Sequence, residues 1–520
     1  MKTLYKFLFL LASMSIIVGC SDLEEEPIGL LSPDGFFNTP KDIQTAANAA
    51  FGHMTHEDFW GRKMSLTLLL RGDMVAIGDP TTSTRRIEHD IFNVPNDNGM
   101  IDGYWLRVYQ MIAAANQAIA GAELVDANES IKNPIVAQAY FARAFAYFHL
   151  VRQFGDIPYI SDVVTDVDVA GSISKTPASE VYANIIADLE FAKTWLPDTQ
   201  AARSIPAKSA AHSYLALVHL TLGDYPNAYA EAKGVIDNEG VYELGLEADF
   251  QDLFDATKSD SSQEPIFVLD FIGASNGDDG RDYQAALTGL RDDQQYGLGG
   301  GWSVGVPSLE VYNRWDGRDY RKAVSLDTTG VFRITDPVTE VVTEELRDFT
   351  VFKESGRGRG VNRPHIAKYT RSIGNFATGN GRGSETNYMM MRYAEVLLIA
   401  AEALNETSPG SSEAEGYVNR VRARARNSNG VTSGLFPEDV SGLSQDDFRD
   451  MVLEERKWEL AFEFKRWYDI ARRRMGAEVF NASGLEGEKP NFDPNQDYLF
   501  PLPADELARN PNLEPQNPGY

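Results

Sequence analysis

Cysteine is almost absent from this sequence of 520 residues, in which Cys20 is the single example. One cysteine cannot form a disulfide within the chain, and no CxxC pair or Cys/His set is present for a zinc site with thiolate ligands. The sequence also lacks a P-loop for binding nucleotide phosphates. The lone thiol therefore needs another explanation.

Basic residues are scarce relative to acidic ones. The chain has 48 lysines and arginines against 76 aspartates and glutamates, and its formal net charge is −28. Such a surface repels polyphosphate and anionic lipid headgroups, which argues against nucleic acid as a partner, whereas a neutral ligand remains compatible. The remaining composition, with 43% hydrophobic and 24% charged residues, is typical of a folded protein with a large core.

Long apolar runs are also scarce, and the most apolar one, Phe7–Val18, lies near the N-terminus. It is shorter than the roughly 20 residues that a membrane-spanning helix needs. Lys2 and Lys6 precede it, and acidic residues follow it. This pattern predicts a secretory signal peptide over residues 1–19.

The end of that signal peptide, Ile17-Val18-Gly19-Cys20, resembles the lipobox of bacterial lipoproteins, whose cysteine becomes the lipidated first residue. Several acyl chains on one cysteine provide the stable anchoring that a single chain does not. We predict that Cys20 is the lipid attachment site and that residues 20–40, which are rich in proline and acidic residues, form a tether. The alternative is an ordinary signal peptide with an incidental cysteine.

Helical periodicity begins near Asp42 and continues through a predicted N-terminal helical region, residues 41–239. Apolar residues spaced three or four apart predict one buried stripe on a helix; they are Trp105, Val108, Ile112, Ala115 and Ile119. The segment 207–238 follows the tetratricopeptide pattern, with Ala216 and Ala228 allowing two antiparallel helices to approach closely and Gly223-Asp224 forming the turn. A generic helical hairpin is the simpler alternative. We expect a mostly α fold with tetratricopeptide-like repeats.

The region 240–520 begins differently, since glycine, aspartate and aromatic residues are dense as far as Asn387. The short runs PIFVLDF and VFRITD predict strands. Loops of this length are usually functional or disordered, and their aromatic content argues against simple disorder. The terminal helices follow after residue 387, and we expect one compact fold with the preceding region.

Aromatic residues in these polar loops favour sugar binding, because a sugar ring offers an apolar C–H face and a rim of hydroxyl groups. The candidates are Tyr283, Tyr296 and Trp302, with Arg281, Arg291, Asp292 and Gln294 nearby. The alternative is that each ring fills a local core.

An acidic triplet, Glu455, Glu459 and Glu463, has i, i+4 spacing on a helix predicted near the C-terminus. Two carboxylates could act as a glycosidase pair, but one helix cannot place them on both sides of a substrate. Arg456 and Arg466 lie three residues from an acid. We therefore predict a structural ion network.

Metal sites have little support in the sequence. His53-x-x-His56-Glu57 could supply two ligands from one helical turn, but its order differs from HExxH and no partner motif is evident. Asp278, Asp279 and Asp282 surround Gly280 without matching the twelve-residue calcium loop. We predict no metal and no cofactor.

Taken together, motifs spread over nearly the whole chain resemble those of the SusD/RagB family, the surface glycan-binding lipoproteins of Bacteroidetes uptake systems. Besides the lipobox and the acidic run after Cys20, they are Trp105…Tyr109…Asn116, Arg143-Ala144-x-x-Tyr147, Phe154-Gly155-Asp156-x-Pro158, Arg392-x-Ala394-Glu395, Ala401-Glu402-Ala403-x-Asn405, Glu455-Arg456-x-x-Glu459, Arg466-Trp467-x-Asp469, Leu502-Pro503 and Gln516-Asn517-Pro518-Gly519-Tyr520.

The resemblance implies a SusD-like fold without catalytic activity, anchored to the outer membrane and exposed on the cell surface. It also implies a partner, a SusC-like TonB-dependent transporter, to which the protein would deliver an oligosaccharide. Family members often carry an aspartate where Asp73 stands and draw contacts from the loop before the Trp105 helix, which here offers Asn96 and Asn98. With Trp302, Tyr296, Tyr283 and Arg291, these are the expected ligand-binding residues.

Two other functions remain open from the sequence. A surface glycoside hydrolase would release reducing ends from a glycan. A helical-repeat scaffold would bind peptides and no sugar.

Overall fold

The computed structural model describes residues 33–273, 280–296, 300–349, 363–374, 382–428, 431–432, 434–480 and 489–520. The predicted signal peptide, Cys20 and most of the predicted tether lie outside these residues. Near the end of that tether, Phe37 is buried in a cluster with Ile43 and Ala122, so the chain joins the folded body there. Within the described ranges, no helix combines the length and the apolarity needed to cross a bilayer.

The first half of the described chain consists mainly of helices. They are α1 (Pro33–Phe36), α2 (Pro40–Met54), α3 (Lys63–Arg71), α4 (Thr84–Asp90), α5 (Gly99–Leu124), α6 (Glu129–Phe154), α7 (Val167–Ala170), α8 (Ala178–Trp195), α9 (Lys208–Leu222) and α10 (Tyr225–Ile236). Helix α5 packs on α2 and α6, and α6 packs on α8. The predicted stripe on α5 is confirmed for Trp105, Val108, Ile112 and Ala115, which are buried.

The predicted hairpin in segment 207–238 is confirmed as the pair α9 and α10. Gly223 ends α9 with a φ of 74°, a left-handed conformation that glycine adopts without a steric penalty. Asp224 then caps α10, where its side chain accepts the backbone N–H of Asn227. Ala216 and Ala228 are fully buried, which allows the two helices to approach closely.

Short strands accompany the helices, and all of these strands except the first lie in the second half of the chain. The strands are β1 (Val75–Ile77), β2 (Pro265–Leu269), β3 (Gly305–Pro307), β4 (Leu326–Asp327), β5 (Thr329–Thr335), β6 (Val342–Asp348), β7 (His365–Ile366), β8 (Tyr388–Arg392), β9 (Asn427–Ser428) and β10 (Val431–Thr432). They pair antiparallel as β1–β3, β2–β8, β4–β7, β5–β6 and β9–β10. Strands β2 and β5 confirm the two predicted from the short runs.

The remaining helices complete a mostly helical architecture, as predicted. They are α11 (Gln284–Thr288), α12 (Leu309–Arg314), α13 (Tyr320–Ser325), α14 (Tyr393–Thr407), α15 (Ser412–Ala425), α16 (Gln445–Glu459), α17 (Arg466–Arg472), α18 (Gly476–Phe480) and α19 (Ala504–Arg509). Helix α14 packs on α10 from the first half and on α15 and α16 from the second. The two halves therefore share one hydrophobic core.

A buried ion network lies beside this core, and it contains the acidic triplet. Its pairs include Glu455 with Arg321 at 2.6 Å, Glu459 with Arg424, with Arg321 at 2.9 Å and with Arg392 at 2.5 Å, and Glu463 with Lys368 at 2.7 Å and with Arg392 at 2.8 Å. All three carboxylates are thus bound by cations inside the protein. The predicted structural role of the triplet is confirmed.

The helix predicted to carry all three acids is shorter than expected. Helix α16 ends at Glu459, and Glu463 lies in the turn before α17. In that turn Phe462 and Phe464 have φ angles of 64° and 65°, which break the helix and allow both rings to enter the core. The i, i+4 pattern could not show this, because the core contacts of the two rings are tertiary.

The arginines expected to pair within the triplet bind other acids instead. Arg456 donates to Asp469 at 2.9 Å, and Arg466 donates to Asp73 at 2.8 Å. Both acids belong to other segments of the chain, so these ion pairs join α16 and α17 to their surroundings.

Candidate functional site

The β1–β3 pair brings two distant loops together. Beyond the strands, Gly78 donates its N–H to the carbonyl of Val304 at 2.9 Å, and Asp79 donates to the carbonyl of Ser303 at 2.7 Å. A Cβ atom at Gly78 would lie 2.4 Å from the oxygen of Ser303, so the approach requires glycine. Helix α4, which follows the first loop, is thereby placed beside the loop that contains Trp302.

Trp302 is held at the edge of the core with part of its ring accessible. Its backbone N–H donates to the carbonyl of Ala286 at 2.6 Å. Its indole ring contacts Tyr283, with 6.0 Å between the ring centroids. Tyr283 is only 3% exposed and packs against Trp302, whereas Trp302 itself is half-buried.

Arginines surround this aromatic pair, which we call the Trp302 surface. The guanidinium of Arg86 from α4 lies 5.8 Å from the centroid of the Trp302 ring, and that of Arg382 lies 5.9 Å from it. Arg62 lies 5.0 Å from the centroid of Tyr283. Cations at these distances are attracted to the face of an aromatic ring.

An ion pair under the surface fixes the loop geometry. Arg291 donates through Nη2 to Asp79 at 2.8 Å and to the carbonyl of Trp302 at 3.2 Å. Asp79 also accepts the backbone N–H and the hydroxyl of Thr81, at 2.9 and 2.7 Å. Burial alone would raise the pKa of Asp79, but the bonds from Thr81 and the charge of Arg291 lower it below its usual value. The carboxylate is therefore ionised and neutralises Arg291.

Asn98, a predicted ligand residue, supports α4 from within the fold. Its side chain accepts the N–H of Met100 at 2.9 Å and caps α5. Its amide nitrogen donates to Glu88 at 2.7 Å and to the carbonyl of Arg85 at 3.0 Å. Asn98 is 2% exposed, so it holds the helix that carries Arg86.

The other residues predicted before the Trp302 loop lie in different surroundings. Asp73 is 9% exposed, and its carboxylate is bound by Arg466 at 2.8 Å and by Lys457 at 3.1 Å. Although burial opposes it, the charges of Arg466 and Lys457 hold the pKa of Asp73 far below its usual value. Asn96 is exposed, and its carbonyl accepts the N–H of Ala504 at 2.8 Å.

Tyr296 is half-buried near another charged pair. Its hydroxyl accepts the amide of Gln295 at 2.8 Å. Burial, and then the charge of Asp327, raise the pKa of Tyr296 to about 12. Within the described ranges, no ring contact joins Tyr296 to Trp302. The structure therefore brings Trp302, Tyr283 and Arg291 together, and Tyr296 is not among their contacts.

The loop also contains a GxSxG spacing, Gly301-Trp302-Ser303-Val304-Gly305. A nucleophile elbow joins a strand to a helix and exposes the serine. Here the segment leads into a strand, and Ser303 is fully buried with its hydroxyl accepting the N–H of Arg291 at 2.9 Å. No hydrogen bond joins Ser303 to a histidine in the described part of the chain. The arrangement does not form a catalytic triad.

The residues considered as metal ligands lie in different surroundings. His53 Nδ1 and His56 Nε2 both accept hydrogen bonds from Arg107, at 3.1 and 2.9 Å. Asp278 and Asp279 lie outside the described residues, and Asp282 is buried and accepts hydrogen bonds from Ser384, Tyr388 and Gln284. Among the residues that the structure describes, no three acidic, histidine or cysteine side chains are grouped as a metal site would require.

A concavity of about 330 Å³ lies elsewhere, between α2 and β2. Its walls are mainly apolar, with Phe51, Met54 and Phe267, and its acid is Asp270. Burial, followed by the charge of Asp260, raises the pKa of Asp270. The lining of this concavity contains neither a tryptophan nor an arginine. We therefore regard the Trp302 surface as the better candidate for sugar binding.

The arginines of the Trp302 surface were missed from the sequence. Arg85-Arg86 is an adjacent basic pair in an acid-rich chain, and this feature of the sequence could have indicated a role for Arg86. Arg62 and Arg382 are separated from Trp302 by long stretches of chain. Only the fold brings their charges to the same aromatic pair.

Comparisons with known proteins place this architecture in a family. A family model described as "SusD family" matches residues 350–520, and one described as "Starch-binding associating with outer membrane" matches residues 51–220. The SusD-like protein P2 of Formosa agariphila is 54% identical over 99% of both chains.

Solved structures show the same fold. A SusD homologue from Bacteroides thetaiotaomicron superposes with a TM-score of 0.78 at 20% identity, covering 94% of this chain and 98% of the other. A structure described as a laminarin-binding SusD-like protein has a TM-score of 0.75 at 22% identity, covering 93% and 100%. The shared fold and the close sequence relative show that this chain belongs to the SusD/RagB family.

Proposed function

We propose that this protein is a cell-surface lipoprotein that binds an oligosaccharide and delivers it to a SusC-like TonB-dependent transporter in the outer membrane. The lipobox at Cys20 supports anchoring. A carbohydrate ligand is supported by the matching family, which is described as starch-binding and associated with the outer membrane, and by the laminarin-binding protein of the same fold. The partner is inferred from family membership.

The observation that carries the proposal is the Trp302 surface. A half-buried indole on the rigid support of Tyr283 offers an apolar face for the C–H groups of a sugar ring. The arginines around it are donors for hydroxyl groups at the ring's rim. This is the combination of stacking and hydrogen bonding that sugar recognition requires.

A catalytic role has less support than binding. The acidic triplet that could have formed a glycosidase pair is buried, and each of its members is bound to arginine or lysine. Burial of Glu459 opposes its ionisation, but Arg424, Arg392 and Arg321 hold its pKa far below the usual value, so it is unsuited to act as a general acid. The protein accordingly binds glycans without cleaving them.

The test is a titration of the purified protein with a panel of oligosaccharides in a calorimeter. Trp302→Ala should weaken binding by tenfold or more, because the stacking platform is lost. Trp195→Ala removes a half-buried tryptophan of α8 and is the matched control, with affinity unchanged. Full affinity in Trp302→Ala would remove the Trp302 surface from the site, and the appearance of new reducing ends would favour a hydrolase.

A further inference from the structure

The charge on the Trp302 surface is opposite to that of the whole chain. The protein has a formal charge of −28, yet Arg62, Arg86 and Arg382 converge on one aromatic pair. Long-range repulsion of anions by the acidic surface is screened by salt over about 10 Å, so local charges determine what binds in contact.

Acids balance only part of this local positive charge. Arg62 is paired with Glu57 at 2.7 Å, and Arg291 is paired with Asp79 at 2.8 Å. In the described part of the chain, no carboxylate forms an ion pair with Arg86 or Arg382. Two guanidinium groups that flank the indole therefore have no counter-charge among the described residues.

The position of Arg86 is electrostatically unfavourable, and an anionic ligand would offset this. It is half-buried, and its Nη1 donates to the hydroxyl of Thr82 at 3.0 Å. Burial, and then the charges of Arg62 and Arg85, lower its pKa to about 10. A partly desolvated cation beside other cations is unfavourable unless an anion joins them.

We propose that the Trp302 surface binds an anionic glycan, with a sugar ring beside Trp302 and its negatively charged substituent bound by Arg86 and Arg382. This inference rests on the proposed glycan-binding function and specifies the ligand class. Guanidinium groups suit both carboxylate and sulfate, because their planar N–H donors match the oxygens of either group. A neutral glucan would leave the two charges uncompensated.

The experiment compares four ligands by calorimetry at low salt: oligosaccharides of alginate, which carry uronates; oligosaccharides of carrageenan, which carry sulfate esters; the same carrageenan after chemical desulfation; and neutral laminarin oligosaccharides. We expect binding to the uronate or the sulfated probe and at least tenfold weaker binding to the neutral ones. Loss of binding on desulfation identifies sulfate, and binding to alginate identifies carboxylate. Affinity should also fall as NaCl is raised from 50 to 500 mM.

Variants separate recognition from folding. Arg86→Gln and Arg382→Gln should each weaken binding of the anionic probe by roughly tenfold to a hundredfold, the effect of losing a charge-assisted hydrogen bond. Arg86→Lys keeps the charge and should restore part of the affinity. Arg333→Gln, on the exposed hairpin β5–β6, is the matched control and should bind normally. Arg382→Gln provides the test if Arg86→Gln does not fold.

The outcomes distinguish the two proposals. Binding of neutral laminarin that depends on Trp302, with no preference for charged probes and no effect of the arginine variants, would overturn the anionic ligand and leave glycan binding intact. Failure of the folded wild-type protein to bind any of the four probes would overturn both.

Discussion

Arg392 Nε lies 2.8 Å from Glu463 Oε2, which joins β8 to the turn between α16 and α17. The same guanidinium donates through Nη1 to Glu264 at 2.7 Å. Arg392 and these acids are almost completely buried. One arginine therefore neutralises acids from several segments of the chain.

Replacing Arg392 with methionine should destabilise the protein severely. The change leaves buried carboxylates without their cation, which typically costs about 3–5 kcal/mol in the free energy of unfolding. Chemical denaturation measures the loss. The control is Arg333→Met, which breaks an exposed pair with Glu344 and should cost less than about 1 kcal/mol. Equal stability of the two variants would show that the buried network does not hold the fold together.

Asp282 should make stability depend on pH. Burial raises its pKa from 3.8 to about 6, so the folded protein favours the protonated carboxyl. The contribution of Asp282 to the free energy of unfolding is therefore fully present below about pH 4 and is lost as the pH rises through about 6. A shift of this size corresponds to about 3 kcal/mol.

The measurement is the difference in the free energy of unfolding between the wild type and Asp282→Asn, followed from pH 4 to pH 7. This difference should fall as the pH rises, because the asparagine cannot ionise. Asp316→Asn is the control, since hydrogen bonds from Arg318 lower the pKa of Asp316 to about 2 and its difference should be constant above pH 5. Parallel curves for Asp282→Asn and the wild type would contradict the prediction.

Asn98→Ala should reduce stability by about 1–3 kcal/mol, because it removes the cap of α5 and two buried hydrogen bonds to α4. Asn128 also stands at a helix N-cap, but it is exposed and its side chain makes no cap hydrogen bond. Asn128→Ala is thus the matched control and should change stability by less. Thermal or chemical unfolding of both variants checks this, and equal losses would assign Asn98 no special role.

Cys20→Ala should release the protein from the membrane, because the lipid that anchors it can no longer be attached. The checks are cell fractionation and labelling with a radioactive fatty acid, which should mark the wild type alone. Ser21→Ala, at the neighbouring position, should remain in the membrane fraction. An unlabelled wild type would refute the lipoprotein assignment.

The helical half of the fold was predictable because its signals are local. Each of these signals lies within a few turns of helix: the turn at Gly223-Asp224, the small residues Ala216 and Ala228, and the apolar stripe that begins at Trp105. The break in the helix near Phe462 was not predictable in this way. It is stabilised by burial of the Phe462 ring among residues that are distant in sequence.

Of the candidate ligand residues, the sequence alone predicted Trp302, Tyr283 and Arg291, because they are aromatic or basic residues close together in one polar loop, and the structure brings these three together. It also determined the mostly helical class and predicted the signal peptide and the lipobox, all of which depend on short patterns of charge and hydrophobicity. Only the tertiary structure decided that Asp73 and Asn98 serve the interior and that Arg86 and Arg382 flank Trp302. The physical reason is that ion pairs and ring contacts depend on distance in space, and pairing of β1 with β3 brings α4 to a loop that lies far along the chain.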